Sequence, residues 1–283
     1  MELKLNSYAK VNLFLRVFKK LKSGYHKIES IMQRIDLYDT IKYEKTSGEI
    51  EIHSNNKEIE TEDNLAYKAA QLLKDTQKVK HGVNITIEKN IPLSSGLGGG
   101  SSNAGTTLLA LNKLWKLRLD EKQLIDLGAQ LGADVPFFLS ENAAFVSGIG
   151  ELIKPIKKPY KMNITLINPG FRISTTAAYK MLDKFKPPKN KKPASSTIVN
   201  AMANNSTEEV ASTLYNDFEE PSFKKYPILK EIKTNLRRNR ALNSTLTGSG
   251  PTMFGIFSSI YTAREAYYEL KDMYPFVFLA KTI

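Results

Sequence analysis

The stretch Ile91–Trp115, IPLSSGLGGGSSNAGTTLLALNKLW, organises the rest of the chain. It opens with a proline, passes through Gly96 and the run 98–100, and continues into apolar residues spaced like one helix face. Glycine reaches backbone conformations closed to other residues, and the free N–H groups of a first helical turn attract anions. The pattern predicts a phosphate-binding loop and a helix capped by Ser101 or Ser102. A flexible connection ahead of an ordinary helix is the alternative.

Other kinds of phosphate loop fit this stretch less well. It lacks the Gly-Lys-Ser/Thr ending of a Walker A loop, and the dinucleotide fingerprint needs glycine or alanine where Ser101 stands. The chain also lacks the catalytic-loop and Asp-Phe-Gly signatures of protein kinases. We therefore expect a loop that holds phosphate with backbone and hydroxyl groups, while the positive charge comes from another part of the chain.

Composition limits the classes of protein that remain. The 283 residues, 41% of them hydrophobic, suffice for one large domain or two small ones that share an interface. The absence of cysteine excludes disulfides, thiolate metal sites and a cysteine nucleophile. The first residues lack the features of a secretory signal, and no apolar run is long enough to span a bilayer. We expect a cytoplasmic protein with no membrane partner.

The formal charge of +12 suggests an anionic partner, so nucleic acid has to be considered. The lysines are scattered, however, and the densest cluster, Lys184–Lys192, lies among prolines with a single aromatic residue. That composition favours a solvated loop over a nucleic-acid surface. The excess charge also suits attraction of a polyphosphate substrate.

The first strand has one clear face and one ambiguous face. Residues Lys4–Val17 alternate apolar and polar side chains, as a β-strand does. The apolar face, from Ala9 to Val17, predicts core. The other face carries Lys10 and Asn12 among aromatic and charged residues, which suits either solvent or the wall of a site.

Turn and cap residues divide the chain beyond this strand into alternating strands and helices. Residues 61–64 and Asp120 offer N-caps for two helices. Prolines and lysines concentrate at 153–161, which suggests a domain boundary. We expect an α+β fold with largely antiparallel sheets, in two parts that comprise residues 1–155 and 156–283.

The glycine loop, from Pro92 to Ala104, resembles the central phosphate motif of the GHMP small-molecule kinases. The resemblance covers four places in the order of that family: Ala9–Leu13, Gly24–His26, Pro92–Ala104 with Gly132–Phe138, and Thr247–Gly250. It implies a GHMP kinase fold of two lobes. The N-terminal, ATP-binding and catalytic lobe is similar to a domain of a ribosomal protein, and the C-terminal lobe is ferredoxin-like and contributes to the substrate site.

The longer form of the loop, Gly-Leu-Gly-Gly-Gly-Ser-Ser-Asn-Ala, is similar to that of the family members in the non-mevalonate isoprenoid pathway. The resemblance implies ATP-dependent phosphorylation of the 2-hydroxyl of a small molecule, a cytidine-diphosphate-linked methylerythritol, with Mg²⁺ as the metal. The residues that it places at the phosphates of ATP are Pro92, Leu93, Ser94, Ser95, Gly96, Leu97, Gly98, Gly99, Gly100, Ser101, Ser102 and Asn103.

Asp134, in the segment GADVPFF, is the candidate acceptor for the hydroxyl proton. Spacing alone slightly favours another role, in which Asp134 caps a short helix with Pro136 in its first turn. The resemblance implies the catalytic base instead. It also places Lys10 beside this aspartate, where a lysine would keep the carboxylate ionised or stabilise developing charge. Taken by itself, Lys10 reads as a surface lysine.

Substrate contacts are implied by the resemblance at four positions. Tyr25 would stack on the cytosine ring, His26 would hydrogen-bond its edge, and Tyr179 would form the second wall. Asn12 would be a polar contact. A core position in a helix is the alternative for Tyr179. The three histidines of the chain have no partners at ligand spacing, so a zinc site is not expected.

The third glycine motif, Gly248, Ser249 and Gly250, resembles the family's C-terminal motif, which packs against the phosphate loop. By itself it is a glycine turn, and it departs from the common pattern in the two residues that follow, Pro251 and Thr252. For the metal, the hydroxyl of Ser102 is the candidate ligand, and no carboxylate stands out beside it.

Two other functions remain open at this point. The first is another GHMP kinase, acting on mevalonate, homoserine or a sugar, which would not need Tyr25 and His26. The second is a nucleic-acid-binding protein without enzymatic activity. That function would leave the glycine motifs and Asp134 unexplained.

Overall fold

A computed structural model of the chain describes residues 2–156, 160–185 and 193–283. Within these residues the chain forms one sheet of seven strands and one of four, with helices packed against both. The strands are β1 (Glu2–Lys20), β2 (His26–Thr46), β3 (Ile50–Ser54), β4 (Gly82–Glu88), β5 (Ala143–Ser147), β6 (Leu152–Pro155), β7 (Asn163–Asn168), β8 (Tyr215–Asn216), β9 (Asn243–Leu246), β10 (Met253–Phe257) and β11 (Phe276–Lys281).

The helices alternate with these strands along the chain. They are α1 (Leu65–Thr76), α2 (Gly99–Leu114), α3 (Glu121–Leu131), α4 (Thr175–Lys184), α5 (Ser195–Ala203), α6 (Thr207–Ser212), α7 (Glu219–Lys225), α8 (Pro227–Arg238) and α9 (Ile260–Leu270), with short 3₁₀ helices at Lys57–Ile59 and Pro136–Leu139. No helix in the described residues is long and apolar enough to cross a membrane.

Strand β1 lies inside the first sheet, whose strand order is β3-β4-β2-β1-β8; β5 also pairs with β2, and β6 pairs with β5. Both faces of β1 are buried in its middle, where Lys10 and Asn12 are only 2% and 1% exposed. Register shifts against β2 occur on either side of these two residues, and such bulges are common next to functional sites. The ambiguous face of the strand is therefore an interior wall and does not face solvent.

Helices α1, α2 and α3 cover one face of the first sheet and share a core with it. Asn64 caps α1, and Asp120 caps α3 through a capping box with Gln123, so both predicted caps are confirmed. Helix α3 stops at Gly132, as predicted. Helix α2 buries Leu108 and Leu111 along the face that the apolar spacing indicated.

The second sheet is antiparallel with strand order β11-β7-β10-β9. Helices α8 and α9 pack on it; α8 buries Leu229, Ile232 and Leu236, which lie on one face at helical spacing. A core cluster joins the two sheets, since Leu13 of β1 and Phe254 of β10 both belong to it. The site described next lies where the two halves meet.

The chain passes from the first sheet to the second between Pro155 and Asn163. Strand β8 is an exception, because it belongs to the second half of the chain and pairs parallel with β1. The two halves are therefore interlocked at the sheet as well as in the core. The basic cluster expected to be a solvated loop falls mainly on residues 186–192, which lie outside the described residues.

Candidate active site

The glycine loop ends in an open helix N-terminus. Helix α2 begins at Gly99, and its N-cap is Gly98, whose left-handed backbone (φ 72°) starts the turn without a side-chain cap. The expectation that Ser101 or Ser102 caps the helix is wrong, because both lie within its first turn. With no side chain occupying them, the first N–H groups stay available to an anion.

The third glycine motif lies directly against this loop. A Cβ on Gly96 (φ +81°) would stand 2.1 Å from the carbonyl oxygen of Thr247, and one on Gly248 would stand 2.8 Å from the oxygen of Gly96. The backbone N–H of Thr252 donates to Ser95 at 3.2 Å. The unusual pair after the motif, Pro251 and Thr252, is thus compatible with close packing of the two glycine segments.

The two serines of the first helical turn differ in their surroundings. Ser101 lines the cleft in front of the loop. Ser102 is 1% exposed, and its hydroxyl accepts a hydrogen bond from Ser7 at 2.7 Å. The structure therefore places Ser102, the predicted metal ligand, against β1, and Ser101 at the cleft.

Lys10 and Asp134 meet beside the glycine loop. The ammonium Nζ lies 3.7 Å from Oδ2 of Asp134 and 2.5 Å from Oδ1 of Asn12. Burial lowers the pKa of Lys10, and the charge of Asp134 opposes that shift. The backbone N–H of Lys10 donates to the oxygen of Leu97 at 3.0 Å, which fixes β1 against the loop. Lys10 is a buried residue and is not the surface lysine that it seemed in isolation.

Asp134 does not cap a helix. The 3₁₀ helix Pro136–Leu139 has Val135 as its N-cap and no side-chain capping bond, so the alternative based on spacing is wrong. Arg34 holds this segment, because its guanidinium donates to the carbonyl oxygens of Phe137 and Ser140 at 3.3 and 3.1 Å. The carboxylate of Asp134 is thereby presented to Lys10 and the cleft.

Asn12 is tied to both halves of the molecule. Its backbone N–H donates to the hydroxyl of Thr247 at 3.0 Å, and its side-chain amide donates to Ser30 at 2.8 Å. Its side-chain oxygen accepts from Lys10. These bonds orient the Lys10 ammonium; Asn12 also lines the cleft, and the substrate contact expected for it stays a prediction.

The cleft in front of the loop measures about 580 Å³. The loop, Lys10 and Asp134 line one part of it, and Tyr179 and Phe218 line another. It is lined as well by three charged residues that the motifs did not indicate: Glu58, Lys89 and Arg172.

His26 and Tyr179 form a wall between this cleft and a second one. Their rings stack at 4.8 Å with an interplanar angle of 21°, and Nε2 of His26 lies 2.8 Å from Asp183. Tyr179 lines the first cleft, whereas His26 and Phe185 line the second, of about 670 Å³. Burial and the charge of Asp134 raise the pKa of Tyr179 to about 12.

Tyr25 is not brought to Tyr179. It lies in the turn before β2, is 62% exposed and lines neither cleft. Tyr25 and Tyr179 therefore do not face each other as the expected pair around the cytosine. One face of the Tyr179 ring stacks on His26 instead. Phe185, which lines the second cleft together with His26, is an aromatic residue that the motifs did not indicate.

Comparisons with known proteins agree with this geometry. The model of the GHMP kinases N terminal domain matches residues 64–142, and that of the GHMP kinases C terminal domain matches residues 198–275. The chain is 42% identical over 282 residues to the 4-diphosphocytidyl-2-C-methyl-D-erythritol kinase of Caldicellulosiruptor bescii, covering 99% of this chain and 98% of that one. The chain belongs to the GHMP kinases.

Solved structures of GHMP kinases have the same fold. A crystal structure of 4-(cytidine 5'-diphospho)-2C-methyl-D-erythritol kinase matches with a TM-score of 0.82 and 31% identity over 99% of both chains. The homoserine kinase from Cytophaga hutchinsonii matches with a TM-score of 0.76 at 18% identity over 100% of this chain and 94% of that one, which shows the fold alone. The predicted two-lobed α+β fold is confirmed.

The oxygen donors of this GHMP kinase fit a magnesium–nucleotide complex. Among the residues that the structure describes, no group of three or more histidine or acidic side chains could hold a metal. Mg²⁺ commonly uses one or two carboxylates together with substrate phosphates, so it does not need such a group. Asp134, with a side chain 33% exposed, and Ser101 supply suitable oxygens at the cleft.

Proposed function

We propose that this chain is a 4-diphosphocytidyl-2-C-methyl-D-erythritol kinase, which transfers the γ-phosphoryl group of ATP to the 2-hydroxyl of its substrate in the non-mevalonate route to isoprenoid precursors. The likeness to kinases of that name over nearly the whole chain supports the assignment. The observation that carries it is the 3.7 Å pair of Lys10 and Asp134 beside an uncapped helix N-terminus.

The glycine loop holds the phosphates of ATP in this proposal. The free N–H groups at the start of α2 point to the cleft, and the helix dipole adds to their attraction for an anion. Close packing of Gly96 on the third glycine motif fixes the shape of the loop. Residues 1–155 thus supply most of the ATP site, and residues 156–283 complete the substrate side.

Lys10 and Asp134 act on the substrate hydroxyl. Its oxygen attacks the γ-phosphorus, the bond from that phosphorus to the bridging oxygen of ADP breaks, and Asp134 accepts the hydroxyl proton. The ammonium of Lys10 stabilises the charge on the attacking oxygen and orients the carboxylate. Proton transfer to a positioned base contributes about 10²- to 10⁴-fold to such rates.

Bound with ATP, Mg²⁺ would supply positive charge to the phosphates. The carboxylate of Asp134 and the hydroxyl of Ser101, which both line the cleft, would hold it. Ser102 supports the same turn from below through its contact with Ser7.

The cytidine end of the substrate binds on the far side of the Tyr179–His26 wall. His26 offers a hydrogen-bonding edge there, and Phe185 offers a ring face at the second cleft. Tyr25, exposed in a turn close to His26 in sequence, is free to cover the base. The polyol then extends past Tyr179 towards Asp134, both of which line the first cleft. We place the enzyme in the cytoplasm.

Thermal protection by nucleotides tests the substrate assignment. At a concentration a hundredfold above its dissociation constant, a ligand stabilises the folded state by about 2.7 kcal/mol. We expect cytidine diphosphate and ATP each to raise the melting temperature. Protection by ATP without any by cytidine diphosphate would leave a GHMP kinase with a different acceptor.

A further inference from the structure

An ion pair spans the cleft between the two halves of the chain. Arg172, in the segment between β7 and α4, donates two parallel hydrogen bonds to the carboxylate of Glu58 in the 3₁₀ helix Lys57–Ile59. The Nη2–Oε2 distance is 2.8 Å. Both residues line the cleft that contains the glycine loop, and they lie 114 positions apart in the sequence.

A polyphosphate in this cleft would need positively charged side chains around it, and Arg172 is one of the candidates. The glycine loop has no lysine of its own, so positive charge for a polyphosphate has to come from other segments. In the described part of the chain, the cations that line the cleft are Lys10, Lys89 and Arg172.

Two of these cations are buried and already have carboxylate partners. Lys10 is held by Asn12 and Asp134. The side chain of Lys89 is 5% exposed, and its ammonium contacts Asp39 at 2.8 Å and the carbonyl oxygen of Ile91. Each ammonium would have to give up its own carboxylate to turn fully to a ligand, and the partner of Lys89, Asp39, is completely buried.

Arg172 differs because its side chain is 49% exposed and that of its partner Glu58 is 56% exposed. Water competes with an exposed ion pair, so such a pair is weak. A guanidinium binds phosphate with the same bidentate geometry that it uses for a carboxylate, and a polyphosphate carries more negative charge. A nucleotide in the cleft can therefore displace Glu58 from Arg172.

We propose that Arg172 binds the polyphosphate of a nucleotide and that Glu58 holds its guanidinium in place while the cleft is empty. The proposal rests on the proposed function, because it assumes that a nucleotide occupies this cleft. The polyphosphate belongs either to ATP or to the cytidine-diphosphate part of the acceptor, since both ligands meet at the loop.

Substitution of Arg172 and substitution of Glu58 are expected to change nucleotide affinity in opposite directions. Arg172→Gln removes a bidentate charge-assisted contact and should weaken nucleotide binding about tenfold to a hundredfold. Glu58→Gln removes the competitor and should tighten binding several-fold. The double variant should resemble Arg172→Gln, because the competitor no longer matters once the guanidinium is gone.

Isothermal titration of the full-length protein with ATP and, separately, with cytidine diphosphate measures these effects. Arg240→Gln is the matched control, since Arg240 forms an exposed pair with Glu265 at 3.0 Å and does not line the cleft. It should leave both affinities unchanged. The nucleotide whose affinity falls in Arg172→Gln identifies the bound polyphosphate.

The direction in which Glu58→Gln changes nucleotide affinity distinguishes phosphate binding by Arg172 from a purely structural link between the two halves of the chain. If Glu58→Gln weakens binding as Arg172→Gln does, the pair is a structural link between the halves and the proposal is wrong. It is also wrong if wild-type protein binds nucleotide and Arg172→Gln binds it equally well. Failure of the wild type to bind either nucleotide would instead overturn the proposed function together with this inference.

Discussion

The ammonium of Lys10 is almost completely buried, and its neighbours explain how the fold tolerates a charge there. An unpaired buried charge is strongly unfavourable, but this one has a carboxylate at 3.7 Å and an amide oxygen at 2.5 Å. The side chain of Asp134 is 33% exposed, so it reaches both the ammonium and the cleft. The pair therefore combines a fixed cation with a carboxylate that is accessible from the cleft.

Asp134→Asn should lower kcat at least about a hundredfold, because the hydroxyl proton loses its acceptor. The affinity for ATP measured without Mg²⁺ should change little, since the glycine loop is untouched. Steady-state kinetics and calorimetry measure the two quantities. Asp126→Asn, on the exposed side of α3, is the control and should behave as wild type. Near-normal turnover by Asp134→Asn would remove the aspartate from the chemistry.

The pH profile should show the buried lysine. Because burial lowers the pKa of Lys10, its ammonium loses the proton at a lower pH than an exposed lysine, which titrates near ~10.4. We therefore expect kcat to decline as the pH rises, and the decline to begin at a pH below the pKa of an exposed lysine. Tyr179 titrates only at about 12 and is not the source of this decline.

Lys10 variants provide the check on that assignment. Lys10→Ala should lower kcat about a hundredfold or more and abolish the alkaline decline in the remaining activity. An alkaline limb that survives unchanged in Lys10→Ala would assign the titration to another group. An unchanged kcat would mean that the ammonium has no part in the reaction.

The contacts of single residues show which parts of the site could not be predicted from the sequence alone. Local spacing favoured a capping role for Asp134, and only the resemblance to a family placed it beside Lys10. The two residues are 124 positions apart, and no periodic pattern records a contact over that separation. The same holds for Asn12 with Thr247 and for Glu58 with Arg172, which the sequence did not indicate.

The glycine loop works as one unit with the third glycine motif. A Cβ at Gly96 would meet the oxygen of Thr247 at 2.1 Å on a backbone with φ +81°. At Gly100, in the same segment, the nearest atom would be Leu65 Cδ1 at 3.6 Å, an ordinary contact. The first position has no room for a side chain, and the second has room.

Gly96→Ala should therefore lower the free energy of unfolding by more than about 1 kcal/mol and weaken ATP binding. Gly100→Ala should keep or slightly raise the stability, because alanine favours a helix. Chemical denaturation of both variants measures the difference. Equal stabilities would show that the two glycine segments are not in tight contact.

Helices with strong end signals were predictable, and short elements were not. Asn64 and Asp120 gave correct starts for α1 and α3. The predicted cap of α2, Ser101 or Ser102, lies three to four residues after the observed one, Gly98, because serine is the usual cap and a left-handed glycine leaves no local signal. Helix α7 was missed since its seven residues include Pro221, and β8 was missed since it has two residues and gains its partner only by pairing with β1.

At the scale of the whole molecule, the cleft lies at the junction of the two halves of the chain. The glycine loop belongs to the first half, whereas Tyr179, Phe218 and Arg172 line the same cleft from the second. The charge of +12 fits an enzyme whose ligands are polyanions, and it does not require a nucleic-acid partner. A nucleic-acid-binding protein would have no use for the Lys10–Asp134 pair.

A coupled assay of ATP consumption tests the central claim most directly. The wild-type enzyme and the Asp134→Asn variant are each assayed with 4-diphosphocytidyl-2-C-methyl-D-erythritol, mevalonate, homoserine and galactose. We predict turnover of the cytidine-linked substrate with a kcat/KM at least about a thousandfold above the others, and a kcat at least about a hundredfold lower in the variant. Comparable turnover of mevalonate, homoserine or galactose, or near-normal turnover by Asp134→Asn, would contradict the account.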